Sequence, residues 1–469
     1  YSFLDKYLGE ANIGYNGSTQ FEKQERYAFL PAFSAGWIVS EENFFKSVLP
    51  QINFFKLRAS YGMTGNDKIG DYQYLYLSVF ESSREYRFGD SYTPYPTLTE
   101  ASLANEDVSW EIAKKQNYGF DMRMFNSRFS LGFDYFFEKR SNILATRNTI
   151  SQIAGLQTSQ LPPENFGKVN NQGFEIEANY NQTFGDFTVS AGGNFSRAKN
   201  TIIDIDEIKY ELDYKNQTGK SIGQQFGYTW TGEFYSYEEL GYIWDETVTG
   251  KNKYVLPTGA TPSVPVPSIF PYPGDLKFVD RNGDGIIDDF DKGAIEKTNR
   301  PEFIYGLNIT LKYKDLGLNM LWQGAGGFSR KFDSYEFIGF YKDSKVQDIH
   351  LNRWAFYEDP YTGELIDTRA TATQPLLIIG GSPGIEQSST FSIYKADYLR
   401  LKNIELAYDL PGSVLKTLNM KSAKVFLMGS NVLTITKIKW VDPEMPNPKT
   451  NQSIYPQTTF YGAGLNIGF

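Results

Sequence analysis

The chain has 469 residues, with 46 Lys and Arg against 55 Asp and Glu, a formal net charge of −9. That length exceeds one small soluble domain, and the acidic balance argues against a nucleic-acid binder, which would carry a basic stripe. Cysteine is absent and His350 is the one histidine, so disulfide frameworks, thiolate chemistry, a histidine triad and a multi-histidine metal site all drop out.

Aromatic residues make up 16% and glycines number 42, while hydrophobic residues reach only 41%. Such a mixture fits strands whose alternate residues face water, joined by long polar loops. No run of about eighteen apolar residues is present, so no transmembrane helix is expected. No signal peptide begins at Tyr1, so an exported barrel with this sequence is expected to be a processed product or part of a longer chain.

In chain order, strands are expected at 6–15, 27–38 and 53–63. In the third, Phe55, Leu57, Ala59 and Tyr61 alternate with Lys56, Arg58 and Ser60. After a polar stretch come 109–124, a tight turn at Asn126-Ser127, and 128–138, where Phe129, Leu131, Phe133, Tyr135 and Phe137 share one face. Strands follow around 174–180 and 187–196, separated by Gly185-Asp186. The clearest hairpin is 303–322. Phe303, Tyr305, Leu307, Ile309, Leu311 and Tyr313 fall on one face, and Leu316, Leu318, Met320 and Trp322 repeat the pattern after Lys314-Asp315. The last strands are expected near 396–409, 424–433 and 457–469. Strict alternation of this kind marks a strand with one apolar and one polar face.

This reading gives about twelve antiparallel strands whose connections alternate between short and long, as in outer-membrane barrels. Short ones lie at 39–52, 125–127, 185–186, 314–315 and 411–422. Long ones lie at 64–108, 139–172, 197–301, 326–395 and 434–456. In such barrels short turns face the periplasm and long loops face outside. The expected fold is therefore an all-β, antiparallel transmembrane β-barrel. Its large apolar side chains meet outer-membrane lipid and its small polar ones line a wet lumen. A two-sheet sandwich would bury the same side chains instead.

One motif carries metal chemistry. From Asp280 to Asp291 the chain has calcium-loop spacing, with Asp280, Asn282, Asp284, Asp288 and Asp291 at ligand positions and the Ile286 carbonyl between them. Gly285 supplies the sharp turn. The final ligand is Asp rather than Glu, so modest Ca2+ affinity is expected, tolerable outside the cell. Pro271, Pro273, Gly274 and Pro301 flank the loop, so the metal would brace it rather than switch a helix pair. The competing reading is a pair of turns with solvated acids.

No catalytic constellation stands out, and no enzymatic activity is expected. Glu175 and Glu177 share a strand face and read as lumen-facing charge. His350 beside Trp354 reads as a loop contact. Gly324, Gly326, Gly327, Gly380 and Gly381 precede no helix and carry no phosphate-loop lysine. Trp230, Tyr235, Tyr237 and Trp244 could stack on sugar rings, and loop packing accounts for them equally well.

Five segments carry a family resemblance: KLRASYGMTGND (56–67), GDLKFVDRNGDGIIDDFD (274–291), RPEFIYGLNITLKYKDLGLNMLWQGAGG (300–327), ADYLRLKNIELAYDLP (396–411) and KVFLMGSNVLTITK (424–437) followed by DPE. Together and in this order they resemble the C-terminal barrel region of SusC-like (RagA-like) TonB-dependent transporters of Bacteroidota. The resemblance implies a plugged barrel of about 22 strands, of which roughly ten, the plug and the TonB-box segment would lie upstream. It also implies import of an oligosaccharide or peptide through the outer membrane, captured with a SusD-like lipoprotein and driven by TonB. The alternative is a SusC-like barrel acting as an assembly scaffold in a larger outer-membrane complex.

Overall fold

The computed structural model describes all residues except 71–72, 91–92, 148, 150–154, 156–159, 333–336, 341–344 and 445–456. Alternating sequence builds one open antiparallel meander of 13 strands, in which each strand between the two ends pairs with those before and after it. Twelve are long: β1 (Tyr7–Gly17), β2 (Tyr27–Ile38), β3 (Ile52–Asn66), β4 (Glu111–Met124), β5 (Phe129–Ala145), β6 (Glu164–Phe184), β7 (Phe187–Asp204), β8 (Phe303–Tyr313), β9 (Leu316–Gly326), β10 (Tyr398–Asp409), β11 (Ser422–Thr436) and β12 (Phe460–Gly468). The short strand Ser2–Phe3 folds back on β1. All twelve expected strands are present.

Register fixes which side chains share a face. In β8–β9, Leu307 lies opposite Trp322, Ile309 opposite Met320 and Leu311 opposite Leu318. The same ladder places Gly306 opposite Gln323 and Thr310 opposite Asn319 on the other face. Leu307 stays 42% exposed and Ile467 41%, and among the described residues no second sheet covers the apolar face. Large apolar side chains left uncovered on a continuous sheet face require lipid, not a sandwich partner.

That face also carries a chain of aromatic ring contacts, one tilted and four stacked. Phe55 and Phe120 have ring centroids 5.8 Å apart, Phe120 and Phe133 5.7 Å, Phe133 and Phe174 6.4 Å, Phe174 and Phe195 5.8 Å, and Phe195 and Phe303 6.1 Å. Six strands, β3 to β8, are thus linked by ring contacts as well as backbone bonds, each contact adding about 0.5–1.5 kcal/mol beyond burial.

Turns follow their chemistry. At the β4–β5 turn Phe125, Asn126 and Ser127 all adopt left-handed backbone, with φ of 55°, 57° and 62°. The Asn53 Oδ1 atom holds this strained turn, accepting from the Asn126 amide at 2.6 Å and the Ser127 amide at 3.3 Å. Two other short connections each wind one short helix, Asn43–Val48 and Gly412–Thr417.

Strand ends differ from expectation on the loop side. β5 runs on to Ala145, β6 begins at Glu164 and β7 continues to Asp204, all inside stretches expected as loop. Residues 164–173 are polar and glycine-bearing and show no apolar alternation. They are strand because the extended β5 pairs with them on one side and, from Lys168 on, the extended β7 pairs on the other. Above the bilayer no lipid-facing pattern is required, so the signal vanishes while the ladder persists. A second hairpin, Val79–Phe88 with Thr93–Ser102, lies in the 67–110 loop. Much of the loop expected at 434–456 falls outside the described residues.

The packed core sits in the loops rather than the barrel. Leu276, Phe278 and Ile287 from the 205–302 loop pack with Phe328, Phe337, Ile385 and Phe391 from the 327–397 loop and with Ile438. A smaller cluster joins Phe21, Ile69, Leu75, Val108 and Trp110.

Candidate functional site: the lumen wall and its loop cap

The polar face is built from the residues between the apolar ones. On β3 these include Lys56, Arg58 and Ser60, paired through β4 to Asp121, Gly119 and Asn117. The Arg58 guanidinium reaches across to two strands, donating from Nε to Asp121 Oδ2 at 3.1 Å and from Nη1 to Asp134 Oδ1 at 2.5 Å. Gly119 makes this possible. A Cβ there would lie 2.6 Å from the Phe133 carbonyl and 3.1 Å from Arg58 Cζ. Further along, Arg140 pairs with Glu111 and Glu138, both at 2.8 Å. Glu175 lies opposite Asp134, and Glu177 opposite Gly132, so both belong to this polar face as expected. Glu175 accepts from Ser196 and Glu177 from Asn179.

From β7 onward the same face changes character. Asn194 on β7, Asn308 on β8, Asn319 and Gln323 on β9 and Asn403 on β10 present amides, interleaved with Gly192 and Gly306. The wall therefore has a charged sector on β3–β6 and a mostly neutral, amide-bearing sector on β7–β10.

At the top of the neutral sector Arg400 is buried, with 1% of its surface exposed. It donates to Asp442 and Glu444, both at 2.6 Å, to Thr434 Oγ1 at 3.0 Å, and to Gln457. Glu444 also receives Lys402 at 3.5 Å and Gln323 at 3.3 Å. Two cations thus face two carboxylates, and the DPE segment after β11 is fastened to the inside of the wall.

Above the wall, Asp275 is completely buried and joins two loops. It accepts from the Leu276 amide at 2.8 Å in its own loop, and from Ser382 Oγ at 2.7 Å and the Gly384 amide at 3.0 Å in the next. Burial pushes its carboxyl above the ordinary range, and the three donors pull the other way. His350 is also buried. Its Nδ1 accepts from the Gln347 amide at 3.0 Å and its Nε2 stands 2.9 Å from the Phe337 carbonyl, so the ring is braced between backbone groups. It is the loop contact that its position suggested.

In the 280–291 loop, Asp280 accepts from the Gly283 and Gly285 amides at 2.6 and 2.8 Å, and Asp284 from Ile286 at 2.9 Å. Asn282 donates to Asp284 at 2.8 Å. Asp288 caps the short 3-10 turn Asp289–Asp291 by accepting from Phe290 at 2.7 Å. Asp291 is fully buried and accepts from the Arg281, Asn282 and Asp288 amides. Among the described residues no three His, Cys, Asp or Glu side chains converge in metal-holding geometry. In this conformation the carboxylates fold the loop on its own amides.

The loop aromatics separate. Tyr235 is buried, with its hydroxyl donating to the Pro265 carbonyl at 2.9 Å. Trp230 packs against Phe234 and Phe391, and Tyr237 stacks on Tyr254 at 4.2 Å. Trp244 alone of the four is exposed, at 45%. The Arg58, Arg400 and Asp275 clusters were not found from sequence. The Arg58 and Asp275 clusters join residues 63 or more positions apart, and Arg400 reaches from its strand to residues 34–57 positions on, all beyond any local pattern.

An uncovered apolar face, a polar wall and loops sorted by length define an outer-membrane barrel. Residues 1–335 match the family described as TonB dependent receptor-like, beta-barrel, and the chain belongs to that family. It is 30% identical over 490 aligned residues to TonB-dependent receptor P3 of Formosa agariphila, covering 100% of this chain and 44% of that protein. It is 26% identical to TonB-dependent receptor SusC of Bacteroides thetaiotaomicron, again over all of this chain and 43% of that one. The chain thus spans less than half the length of these relatives. The structure of the RagAB peptide importer in its closed-closed state superposes with a TM-score of 0.68 at 21% identity, covering 99% of this chain and 46% of that one, which shows the shared fold. The SusC-like resemblance and the outer-membrane location are thereby shown.

Proposed function

We propose that this chain forms wall and extracellular loops of a TonB-dependent importer that takes up a large nutrient, an oligosaccharide or a peptide, together with a SusD-like surface lipoprotein. The observation that carries the reading is the continuous polar face from β3 to β11, roofed by loops with their own packed core. A wet wall of alternating small and polar residues suits passage of a hydrophilic cargo. The relatives' names support the TonB dependence. Deleting the gene should abolish growth on, and uptake of, one class of oligosaccharide or peptide while growth on the corresponding monomers persists. A general envelope defect with uptake unchanged would favour the assembly-scaffold reading instead.

Calcium at Asp280, Asn282, Asp284, Ile286, Asp288 and Asp291 belongs to the same proposal. The spacing supports it. A carboxylate also offers about four lone-pair sites, so an amide bond on one leaves others for a hard cation. The ion would stiffen an extracellular loop and take no part in chemistry.

A further inference from the structure

We propose that Trp244 is a stacking platform for the ring of a neutral saccharide on the extracellular loop surface. Its backbone sits in the small ladder Ile243–Trp244 with Tyr254–Val255, where Trp244 lies directly opposite Tyr254. The indole Nε1–H donates to Glu246 Oε1 at 2.7 Å, so the polar atom of the ring is already satisfied. What stays exposed is therefore largely aromatic carbon. Tyr254 meets the ring edge-on at 5.2 Å, is stacked in turn on Tyr237 and packs against Phe356. Asn252 ties the hairpin to the Tyr237 hydroxyl and to the Phe356 carbonyl of the next loop. The indole is thus held in place from two loops before any ligand arrives, which removes part of the ordering cost of binding.

The flanking groups select the ligand. Lys253 Nζ lies 2.5 Å from Glu246 Oε2 and 6.0 Å from the Trp244 ring centroid. The ammonium and the indole N–H hold the Glu246 carboxyl below its usual range, so it stays ionised. Carboxylate and ammonium cancel beside the ring, leaving acceptors and donors with no net charge. Hydroxyl groups, each both donor and acceptor, suit that edge, and the C–H face of a pyranose suits the ring. A charged ligand would have to break the ion pair. A protein partner would want a wider apolar patch than one indole bordered by the Glu246–Lys253 ion pair. This inference rests on the import reading for its biological purpose and not for its binding chemistry.

The test uses the complete transporter purified in detergent and a panel of neutral hexasaccharides of gluco, manno, galacto and xylo configuration, with binding measured calorimetrically. At least one member should bind. Trp244→Ala should weaken it by roughly tenfold, the scale of one lost ring contact. Trp244→Phe should recover part of the loss, and Lys253→Ala should cost less than Trp244→Ala. Unchanged mobility of unheated protein on detergent gels controls for folding. Absence of binding across the panel, or equal binding by Trp244→Ala, overturns the platform. So does loss of a co-purifying protein partner in Trp244→Ala with saccharide binding intact. Binding without uptake supports the platform and overturns the import reading, so the two fail separately.

Discussion

The barrel wall and the loop cap are built on opposite rules. In the wall every strand between the two ends of the sheet pairs on both sides, apolar side chains point away from the molecule, and charges such as Arg58 and Asp121 sit inside. In the cap apolar side chains gather inward around Phe278, Phe337 and Phe391, as in a water-soluble domain. Buried polar groups concentrate there as well: Asp275, Asp291, His350, Ser382 and Ser389. The difference follows the solvent. Lipid requires a backbone satisfied by a continuous ladder and tolerates apolar surface, whereas water requires a core and leaves irregular backbone to be satisfied by side chains.

The junction of the two is where the comparison breaks most easily. Arg400 lies on the wall and its carboxylate partners lie in the loop after β11. Replacing Arg400 by Ala leaves Asp442 without its cation and Glu444 with only Lys402 and its amide donors, and should cost about 3–5 kcal/mol. Limited proteolysis should then cut near 437–444 while the β-sheet circular dichroism signal stays. If the loop stayed protected, the cluster would not be the fastener. Next in size is the wall's apolar face. Leu307 sits mid-strand in β8, and Leu307→Arg should cost about 2–4 kcal/mol if it meets the middle of the bilayer. Leu131 lies only three residues into β5 beside the short turn, so Leu131→Arg should cost about 0–1 kcal/mol there, less than its sequence pattern alone suggests. Thr310→Arg on the lumen side should be close to neutral. Folding titrations in lipid vesicles rank the three, and a reversed ranking would mean that the faces are inverted.

Sequence legibility divides along the same line. Strands β8 and β9 were readable residue by residue because the pleat has a period of two and lipid demands that every second residue be apolar. The first ten residues of β6 were not, because above the bilayer both faces are wet and only the neighbours' ladders hold them. The polar character of the wall could be read, but not that Arg58 bridges Asp121 and Asp134, since register between strands 63 residues apart is a tertiary fact. In the cap, the motif at Asp280 to Asp291 could be spotted from turn chemistry, whereas Asp275, five residues earlier in a Pro-Gly-Asp stretch, gave no sign of being the buried link to Ser382 and Gly384.

Asp275 offers the next test and a pH signature. Burial raises its carboxyl above the unfolded value, so charging it opposes the folded cap. Its contribution is complete below the unfolded value of about 4 and declines as pH rises through the raised folded value. Protease resistance of the joined loops, taken as wild type minus Asp275→Asn, should therefore increase on acidification. At neutral pH Ser382→Ala should loosen the loops by about 1–3 kcal/mol, because it removes one of the three donors to a buried carboxylate. A wild-type-minus-variant difference that is flat with pH would show that the fold does not raise the Asp275 carboxyl.

The calcium loop carries a smaller effect than the Arg400 and Leu307 changes. A site of about 10⁻⁴ M affinity in about 1 mM calcium gains about 1.4 kcal/mol, enough to shift loop opening and too little to decide folding. The loop is already pinned without metal by Asp291, which holds three amides, and by the Tyr214 hydroxyl and Lys215 ammonium on the Phe290 and Asp289 carbonyls. Chelation should therefore raise cleavage within 280–291 by roughly tenfold and leave the rest of the cap untouched. Asp280→Ala with Asp284→Ala should abolish the calcium dependence. It should also raise the calcium-free cleavage rate, because Asp280 and Asp284 hold three loop amides of their own. Equal cleavage with and without calcium in the unaltered protein would leave these acids as turn braces alone, and the cap would then owe its order entirely to its core and its buried carboxylates.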